Sequence, residues 1–319
     1  MSRSLNILFL GGAKRVAVGR LILAAAQRRD IKARIYGYEL DRRVPLAALA
    51  TIVEGKRWND PDFPAHLDDT VKRLGITMII PFVDGAIAPA AEYAAKHQEV
   101  CCPGSTAEVS RMFFDKCQSA EVFAAASLPI PATYDGTCAP TFPLIAKPRK
   151  GSASKGIQII GNQAELDRIN PVADNYIIQR YVTDATEITV DCYTSAGGEI
   201  LAVSPRIRLE TAGGEAVRTV TIHSPEAIEL AERTIAATGL RGACTIQMLR
   251  DTDGQLLIME INPRLGGGVV ASVNAGADIP SLIVDEWASL PLARKYPLPD
   301  VLTVRYLEDI AFLPDGTKI

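Results

Sequence analysis

The opening apolar segment constrains the fold of this chain more than any other feature. Residues 5–10 read LNILFL and stop at Gly11-Gly12. A strand that is apolar at nearly every position is typical of a parallel sheet covered on both faces. The segments that follow alternate between helical and extended patterns: helices over Arg15–Arg29, Pro64–Leu74 and Gly85–Lys96, and strands over Ile35–Tyr38 and Thr77–Pro81. This alternation predicts a doubly wound α/β domain of the Rossmann type.

The pattern changes after Pro103-Gly104. One long helix is predicted over Thr106–Ser127, and from Phe142 onward short strands follow one another mostly as hairpins. The second half therefore has the pattern of an α+β structure. We expect a domain boundary near residue 105 and a further division inside the second half.

Composition and charge exclude several classes of protein. Lys and Arg number 34 against 37 Asp and Glu, a formal charge of −3, which argues against a nucleic-acid partner. The sequence contains no apolar run near the roughly 18 residues that span a bilayer, so no membrane partner is expected. Six cysteines without a C-x-x-C pair, and only three histidines, argue against a disulfide framework or a zinc site. They indicate reduced thiols in a cytoplasmic protein.

The glycines after the first strand have two interpretations. Gly11, Gly12 and Gly19 lack the G-x-G-x-x-G spacing, which disfavours a nicotinamide-dependent oxidoreductase. A tight turn that packs the first helix on its strand is the favoured interpretation. The alternative is that this helix N-terminus receives an anionic group of a substrate. For the adjacent Lys14-Arg15, a surface position is favoured over substrate binding.

A lysine followed by a loop of small and basic residues marks a second candidate site. Lys147 ends the apolar segment PLIAK, and a strand, IQII, resumes after the loop. Backbone N–H groups and hydroxyls of such a loop can surround phosphate oxygens, and the lysine supplies a fixed positive charge. The candidate phosphate-contacting residues of the loop are Gly151, Ser152, Ser154 and Gly156. An ordinary solvated hairpin loop fits the same residues equally well.

A hairpin near the C-terminus is the third candidate. Residues 243–249 and 255–261 are strand patterns on either side of Asp253-Gly254, and Asp-Gly between two such runs is a strong hairpin signal. If Asp253 and Gly254 are the two turn residues, Thr252 pairs with Gln255. The register of every residue farther along both strands follows from that pairing.

This register places Gln247 opposite Glu260, with Asn262 two residues farther on the same face. One carboxylate and two amide oxygens are hard ligands of the kind that Mg²⁺ takes when phosphates supply the rest. A polar outer sheet face is the alternative, which the otherwise apolar strands disfavour. Arg264 follows as a donor fork suited to an acyl-phosphate, ahead of the glycine-rich segment 265–268.

Together these segments resemble the ATP-grasp superfamily, and within it the single-module relatives of the carbamoyl-phosphate synthase large subunit. The resemblance rests on Asp115-Lys116, on Lys147 before its Gly/Ser loop, on IIQRYVTDATEITVD, and on IQML followed by IMEINPRLGGG. It implies an N-terminal Rossmann-like pre-ATP-grasp α/β domain at 1–105, followed by a two-lobed ATP-grasp domain that clasps ATP. The two lobes would be a small lid subdomain with its linker helix at 106–185 and a C-terminal α+β subdomain at 186–319.

The resemblance also implies roles for individual residues. The nucleotide would be bound by the phosphate-contacting Lys116 and Lys147, by the lid loop from Gly151 to Gly156, by Gln179, by the backbone around Tyr181 and Val182 at the base, and by Glu187 at the ribose hydroxyls. Arg180 stands where the family usually has an acidic residue, a departure at the adenine contact. Gln247, Glu260 and Asn262 would hold two Mg²⁺ or Mn²⁺ ions, with Glu260 as the bridging ligand.

Two further positions are expected to be catalytic. Arg264 matches the arginine that steadies the transferred phosphoryl group. Arg206 and Arg208, two residues apart, are candidates to bind a substrate carboxylate or the γ-phosphate, and Arg208 is the one that we expect to take part. A solvated strand edge is the alternative for both.

The implied function is that of an ATP-dependent carboxylate–amine or carboxylate–thiol ligase that forms an acyl-phosphate and ADP. Its partners would be ATP and small-molecule carboxylate and amine substrates, whose identities the sequence leaves undetermined. Two alternatives stay open: a partial subunit similar to the carbamoyl-phosphate synthase large subunit, and a non-catalytic ATP-binding subunit. The residues are also compatible with a homodimer.

Overall fold

The computed structural model describes residues 4–137, 139–151, 155–169, 171, 175–212 and 215–319. Within these residues the strands form a four-stranded parallel sheet, a three-stranded antiparallel sheet and a six-stranded antiparallel sheet. The combination of α/β and α+β structure predicted from the sequence is confirmed.

The N-terminal sheet has the strand order β3-β2-β1-β4. Its elements and the helices around it are β1 (Ser4–Leu10), α1 (Val16–Gln27), β2 (Lys32–Glu39), β3 (Thr51–Glu54), α2 (Phe63–Leu74), β4 (Met78–Pro81) and α3 (Asp84–Lys96). Leu5, Ile7 and Phe9 of β1 pack into one hydrophobic core, and Leu8 and Leu10 pack into another. The opening apolar run is therefore covered on both faces, as its pattern predicts.

Two helices, α4 (Ala107–Phe114) and α5 (Lys116–Ala125), replace the single helix predicted over Thr106–Ser127. Asp115 between them is extended, with φ −101° and ψ 106°, and its carboxylate accepts hydrogen bonds from two backbone N–H groups in the first turn of α5. An aspartate in this position satisfies the start of a new helix, which ends the old one. The break makes Lys116 the first residue of α5.

The three-stranded sheet is the smallest of the three and has the order β6-β5-β7. Its elements are β5 (Leu144–Pro148), β6 (Gln158–Ile160), α6 (Gln163–Leu166) and β7 (Tyr176–Arg180). The buried residues of its own core are Leu144, Ala146, Ile160, Leu166 and Ile178.

The six-stranded sheet has the order β12-β11-β8-β9-β10-β13. Its elements and adjoining helices are β8 (Thr186–Thr194), β9 (Ile200–Ala212), β10 (Glu215–Thr221), α7 (Pro225–Thr238), β11 (Gly242–Arg250), β12 (Leu256–Asn262), α8 (Val269–Asn274), α9 (Ile279–Trp287) and β13 (Leu302–Val304). One face packs on α7. On the other face, Tyr193, Ala202 and Ala243 belong to the same buried cluster as Phe9 of β1 and Leu282 of α9. The N-terminal sheet and the six-stranded sheet therefore share a core.

In the part of the chain that the structure describes, none of the helices has the length and apolar character needed to cross a membrane.

Candidate functional site

The polar face of the six-stranded sheet forms the floor of the candidate site. On β8, Glu187, Thr189 and Asp191 project from the face opposite α7, because the residues between them pack into the core with that helix. Thr189 is in register with Gln247 on β11 and with Arg206 on β9, so the neighbouring strands continue the polar surface.

The β11–β12 hairpin places Gln247 opposite Glu260, which confirms the predicted pairing. The predicted two-residue turn is nevertheless wrong, because the N–H of Asp251 donates to the carbonyl of Gln255 at 3.0 Å and closes a longer loop. A β-bulge at Met259 shifts the register by one residue between this loop and the polar pair. The longer loop shifts the pairing by one residue and the bulge shifts it back, so Glu260 still pairs with Gln247.

A chain of hydrogen bonds connects the polar side chains of this floor. Nδ2 of Asn262 donates to Oε1 of Gln247 at 3.3 Å, and Nε2 of Gln247 donates to Oε1 of Glu187 at 2.7 Å. Nη2 of Arg264 donates to Oδ1 of Asn262 at 3.2 Å. Gln247 and Asn262, expected at the metal, and Arg264, expected at the phosphoryl group, are thereby linked to Glu187. Glu187 is the residue expected at the ribose.

Glu260 is the carboxylate around which charges of both signs gather. Its pKa is raised above the ordinary value, first because the group is buried and then because Asp84 is nearby. The positive charges of Lys116, Lys147 and Arg264 oppose this shift. Within the described part of the chain no side chain or backbone group donates a hydrogen bond to it. The carboxylate is therefore surrounded by cations and still has open coordination positions.

The two lysines reach Glu260 from different elements. Lys147 lies at the end of β5, is 8% exposed, and donates from Nζ to Oε1 of Gln179 at 3.2 Å. Burial lowers the pKa of Lys147, Glu260 opposes that shift, and Lys116 adds to it. Lys116 starts α5 and donates from Nζ to the carbonyl of Gly151 at 2.9 Å. Within the described residues, each ammonium therefore has one hydrogen-bond partner and further N–H donors to offer.

The loop between β5 and β6 begins and ends at glycines with positive φ. Gly151 has φ 143° and Gly156 has φ 76°, conformations that other residues rarely adopt. The carbonyl of Gly156 accepts a hydrogen bond from the hydroxyl of Tyr176 at 3.0 Å. Ser152 and Ser154, which the sequence places in this loop, lie outside the described residues.

The strand that leads to the sequence-predicted adenine contacts is tied to its neighbours. Gln179 is buried and holds Lys147, and the N–H of Tyr181 donates to the carbonyl of Pro143 at 3.1 Å. Val182, next to Tyr181, is also buried. Arg180 pairs instead with the carboxylate of Asp251 at 3.4 Å, so its guanidinium extends toward the β11–β12 loop.

The two neighbouring arginines of β9 have separate partners. Arg206 is 3% exposed and forms an ion pair of 2.7 Å with Asp191, which excludes the solvated edge for this residue. Arg208 forms an ion pair with Glu187. Arg208 thus lies beside the expected ribose contact, whereas Arg206 is enclosed beneath α8.

Asp84 is a site residue that the sequence interpretation missed. It begins α3 directly after the parallel strand β4, and its Oδ1 accepts a hydrogen bond of 3.1 Å from Nε of Arg264. The signal was available, since ligand sites of parallel α/β sheets form beyond the carboxyl ends of the strands. An aspartate at that position was therefore a candidate on topology alone.

The tight-turn interpretation of the first glycines is supported, and the surface position favoured for Arg15 is wrong. Gly11 has φ 70°, and a Cβ at Gly11 would lie 2.6 Å from Val83. Arg15 follows this turn, its side chain is 18% exposed, and it forms an ion pair with Glu215 at 3.4 Å.

A comparison with protein families matches residues 173–310 to the family described as ATP-grasp in the biosynthetic pathway with Ter operon. That range contains Glu187, the hairpin ligands and Arg264. The matched segment, which is less than half of the chain, is thus similar to an ATP-grasp family. No curated protein sequence is significantly similar to it.

Solved structures show the same fold over most of this chain. Biotin carboxylase from Campylobacter jejuni, in a β,γ-ATP complex, is 19% identical with a TM-score of 0.73, over 90% of this chain and 71% of that one. The ADP complex of N5-carboxyaminoimidazole ribonucleotide synthetase is 17% identical with a TM-score of 0.73, over 95% and 82%. The biotin carboxylase domain of Hydrogenobacter thermophilus 2-oxoglutarate carboxylase is 18% identical with a TM-score of 0.69, over 91% and 71%.

Most of the predicted site residues lie in two adjoining groups. Lys116 and Glu260 line two neighbouring pockets, one together with Lys147 and the other with Gly151 and Asn262. Beside them, Gln247 is hydrogen-bonded to Glu187, which also pairs with Arg208. Gly156, Tyr181 and Val182 line neither of the two pockets.

Proposed function

We propose that this chain is an ATP-grasp protein and that it is an ATP-dependent carboxylate–amine or carboxylate–thiol ligase that acts through an acyl-phosphate. The observation that carries the proposal is the convergence of Lys116, Lys147 and Glu260, from three separate elements, on one cleft. Two ammonium groups beside a buried carboxylate suit a polyphosphate that a metal ion links to the protein. The proposed domains, at 1–105, 106–185 and 186–319, place this cleft between the lid and the C-terminal subdomain.

The proposed nucleotide site uses both sides of this cleft. Lys116 and Lys147 neutralise phosphate oxygens, and Gly151 lies beside them, since its carbonyl accepts a hydrogen bond from Lys116. Glu187 accepts hydrogen bonds from the ribose hydroxyls, with Arg208 and Gln247 fixing its orientation. All three of the similar solved structures described above are complexes with an adenine nucleotide, which supports a nucleotide as the ligand of this fold.

The side chains of the hairpin fit Mg²⁺. Glu260 has no hydrogen-bond donor within the described residues, and the amides of Gln247 and Asn262 lie on the same sheet face. Mg²⁺ commonly takes one or two protein carboxylates and completes its shell with water and substrate phosphates. When bound, the ion would neutralise charge on the phosphates, and two ions bridged by Glu260 are the proposed stoichiometry.

The proposed chemistry has two steps. A carboxylate oxygen of the substrate attacks the γ-phosphorus of ATP, the bond from that phosphorus to the β–γ bridging oxygen breaks, and ADP leaves. An amine or thiol then attacks the acyl carbon, phosphate leaves, and the proton of the nucleophile passes to solvent. Arg264 supplies N–H donors to the phosphoryl group during transfer, with Asp84 and Asn262 holding its orientation.

The proposal is tested by trapping the acyl-phosphate. The protein is incubated with MgATP, hydroxylamine and one acid at a time from a panel of small carboxylates, amino acids and bicarbonate. Formation of ADP and of an equal amount of hydroxamate, dependent on the acid, is the expected result for the carboxylic acids. If the protein binds ATP but forms ADP with none of the acids, the ligase proposal is contradicted and the non-catalytic ATP-binding subunit is favoured.

The same panel separates the remaining alternative. A partial subunit similar to the carbamoyl-phosphate synthase large subunit would consume ATP in the presence of bicarbonate. It would form no hydroxamate from the other acids. The similar biotin carboxylase domain of 2-oxoglutarate carboxylase is a complex with MgADP and a bicarbonate anion, which is why bicarbonate belongs in the panel.

A further inference from the structure

Two arginines from opposite ends of the chain share one carboxylate next to the proposed active site. Nη1 of Arg15, at the start of α1, lies 3.4 Å from Oε1 of Glu215. Arg305, beyond β13, forms an ion pair with the other oxygen of Glu215. The side chains are 18%, 32% and 27% exposed for Arg15, Arg305 and Glu215, so the cluster is shielded but open to solvent.

The guanidinium groups of this cluster also lie against the backbone that follows Arg264. Nη2 of Arg305 donates to the carbonyl of Gly267 at 2.7 Å. A Cβ at Gly267 would lie 3.4 Å from Nη1 of Arg15. Arg264 itself donates to the carbonyl of Leu265 at 3.3 Å. The segment is glycine-rich at a point where three arginines gather around the main chain.

Positive charge in this cluster is only partly neutralised. Arg206 and Arg208 each have a carboxylate of their own, whereas Arg15 and Arg305 divide one between them. Burial is the largest cause that lowers the pKa of Arg15, Glu215 opposes it, and the charges of Arg264 and Arg305 lower it further. Among the described residues, the two guanidinium groups therefore carry one positive charge more than Glu215 compensates, and a second anion would form charge-assisted hydrogen bonds with them.

The geometry of the cluster suits a planar anion. Each guanidinium offers five N–H donors, and the fork formed by two of them matches the two oxygens of a carboxylate. Glu215 is bridged instead by one Nη1 from each guanidinium, so an anionic group fits between Arg15 and Arg305. The charge of Arg264 lowers the pKa of Arg15, so the two guanidinium groups are close to each other. The position that Glu215 occupies is therefore near the arginine assigned to the phosphoryl group.

We propose that Arg15 and Arg305 bind a second anionic group of the acid substrate, and that Glu215 is an internal carboxylate that this group replaces. The inference rests on the proposed function and narrows its substrate class to acids that carry another carboxylate or a phosphate. Arg264 acts at the carboxylate that is activated, and the Arg15–Arg305 pair holds the remote anion. Glu215 keeps the two arginines together while the site is empty of substrate.

Matched acids that differ by one anionic group test the proposal in the hydroxamate assay. The pairs are succinate with propionate, glutarate with butyrate, and 3-phosphoglycerate with glycerate, so that the first two pairs test a carboxylate and the third a phosphate. The wild type should turn over at least one member with two anionic groups at a kcat/KM about tenfold or more above that of its partner. Equal turnover within every pair overturns the inference and leaves the ligase proposal intact.

Substitutions then assign the effect to the cluster. Arg15→Met and Arg305→Met should raise KM for the preferred acid about tenfold with little change in KM for ATP, and Glu215→Gln should lower KM for that acid. Arg20→Met is the matched control, since Arg20 also lies on α1 and pairs with a glutamate, Glu308, but is 52% exposed. Arg20→Met should change neither the KM for the acid nor the KM for ATP.

The result that overturns the role of the pair is an unchanged KM for the acid in both arginine variants. If the pair only ties the hairpin of β9 and β10 to the N-terminal sheet, these variants lower Tm and leave KM unchanged. Arg15→Lys, which keeps the charge and removes the fork, provides a second variant if Arg15→Met does not fold. No turnover with any acid by a wild type that binds ATP overturns the ligase proposal and this inference together.

Discussion

Nε of Arg264 donates a hydrogen bond of 3.1 Å to Oδ1 of Asp84. Arg264 follows β12, and Asp84 begins α3 behind the parallel strand β4, so the bond joins the two larger sheets at the proposed cleft. The side chains are 19% and 16% exposed, which shields the pair from solvent. Asp84 also raises the pKa of Glu260 through its charge. These contacts make Asp84 a positioning residue for the proposed phosphoryl transfer.

Asp84→Asn should lower kcat by about tenfold to a hundredfold, because a charge-assisted hydrogen bond of about 1.5–3 kcal/mol that orients Arg264 is lost. The affinity for ATP should change much less. Removal of the Asp84 charge also lowers the pKa of Glu260, so the acid limb of the pH–rate profile should move to lower pH. Asp62→Asn, at the exposed start of α2, is the control and should leave both kcat and the profile unchanged. An unshifted acid limb would argue against the coupling of Asp84 to Glu260.

Glu260→Gln keeps the shape of the side chain and removes one negative charge from the proposed metal site. We expect a loss of about 10²-fold in kcat, or about 2.7 kcal/mol, with a smaller change in ATP affinity. Single-turnover ADP formation with an accepted acid measures the effect. Asp253→Asn, in the exposed loop of the same hairpin, should retain wild-type turnover. Wild-type turnover in Glu260→Gln as well would remove the basis of the proposed metal site.

Glu39 gives a pH-dependent prediction at the end of β2. It accepts hydrogen bonds from the N–H groups of Gly12 and Ala13, yet its Oε1 is buried without a partner. Burial raises the pKa of Glu39 to about 7. A raised pKa of an acid favours the protonated form in the folded state. The contribution of Glu39 to stability is therefore complete below its ordinary pKa and is lost as the pH rises through about 7.

Glu39→Gln should remove this pH dependence. Between pH 5 and pH 8, the free energy of unfolding of the wild type should fall relative to that of Glu39→Gln by about 1–3 kcal/mol. Urea denaturation at several pH values measures the difference. Glu54→Gln is the control, because Glu54 is in register with Glu39 on β3 and its side chain is 65% exposed. Parallel curves for wild type and Glu39→Gln would count against a perturbed carboxyl in this position.

Gly268→Ala should destabilise the fold by about 1–3 kcal/mol. A Cβ at Gly268 would lie 2.7 Å from Nη1 of Arg206, and that guanidinium is held by its buried ion pair with Asp191. Arg206 therefore cannot move aside at low cost. Gly104→Ala is the control, since the nearest heavy atom to a Cβ there is 4.0 Å away. Thermal unfolding of the two variants compares the effects, and equal Tm values would show that Arg206 is free to shift.

Local patterns in the sequence predict the sheets well. The period of two along β8, β11 and β12 separates polar from apolar faces, and it is sufficient to bring Gln247, Glu260 and Asn262 to one side. The single helix over Thr106–Ser127 fails for a local reason too, because apolar periodicity continues through Asp115 while its carboxylate caps a new helix. The cap depends on the single residue Asp115, whereas the periodicity is an average over many residues. The periodicity therefore does not reveal the break.

Contacts between distant parts of the chain could not be predicted in this way. Arg15 and Glu215 are 200 residues apart, Arg305 is 90 residues from Glu215, and Asp84 is 180 residues from Arg264. Each of these side chains also fits an exposed position in its own segment. Their roles depend on how the N-terminal sheet packs against the six-stranded sheet, and the shared core that fixes this packing is built from residues with no polar signature.

Because β12 has a bulge at Met259, the length of the β11–β12 loop does not by itself determine which face of the sheet the residues beyond the bulge occupy. A homologous chain with one residue more or fewer in this loop can present the same three polar side chains, provided that the strand gains or loses its bulge at the same time. Evolution can then change the loop by insertion or deletion without turning Glu260 to the opposite face. A sequence alignment of such chains would place the gap in the loop, although half of the structural change lies within the strand.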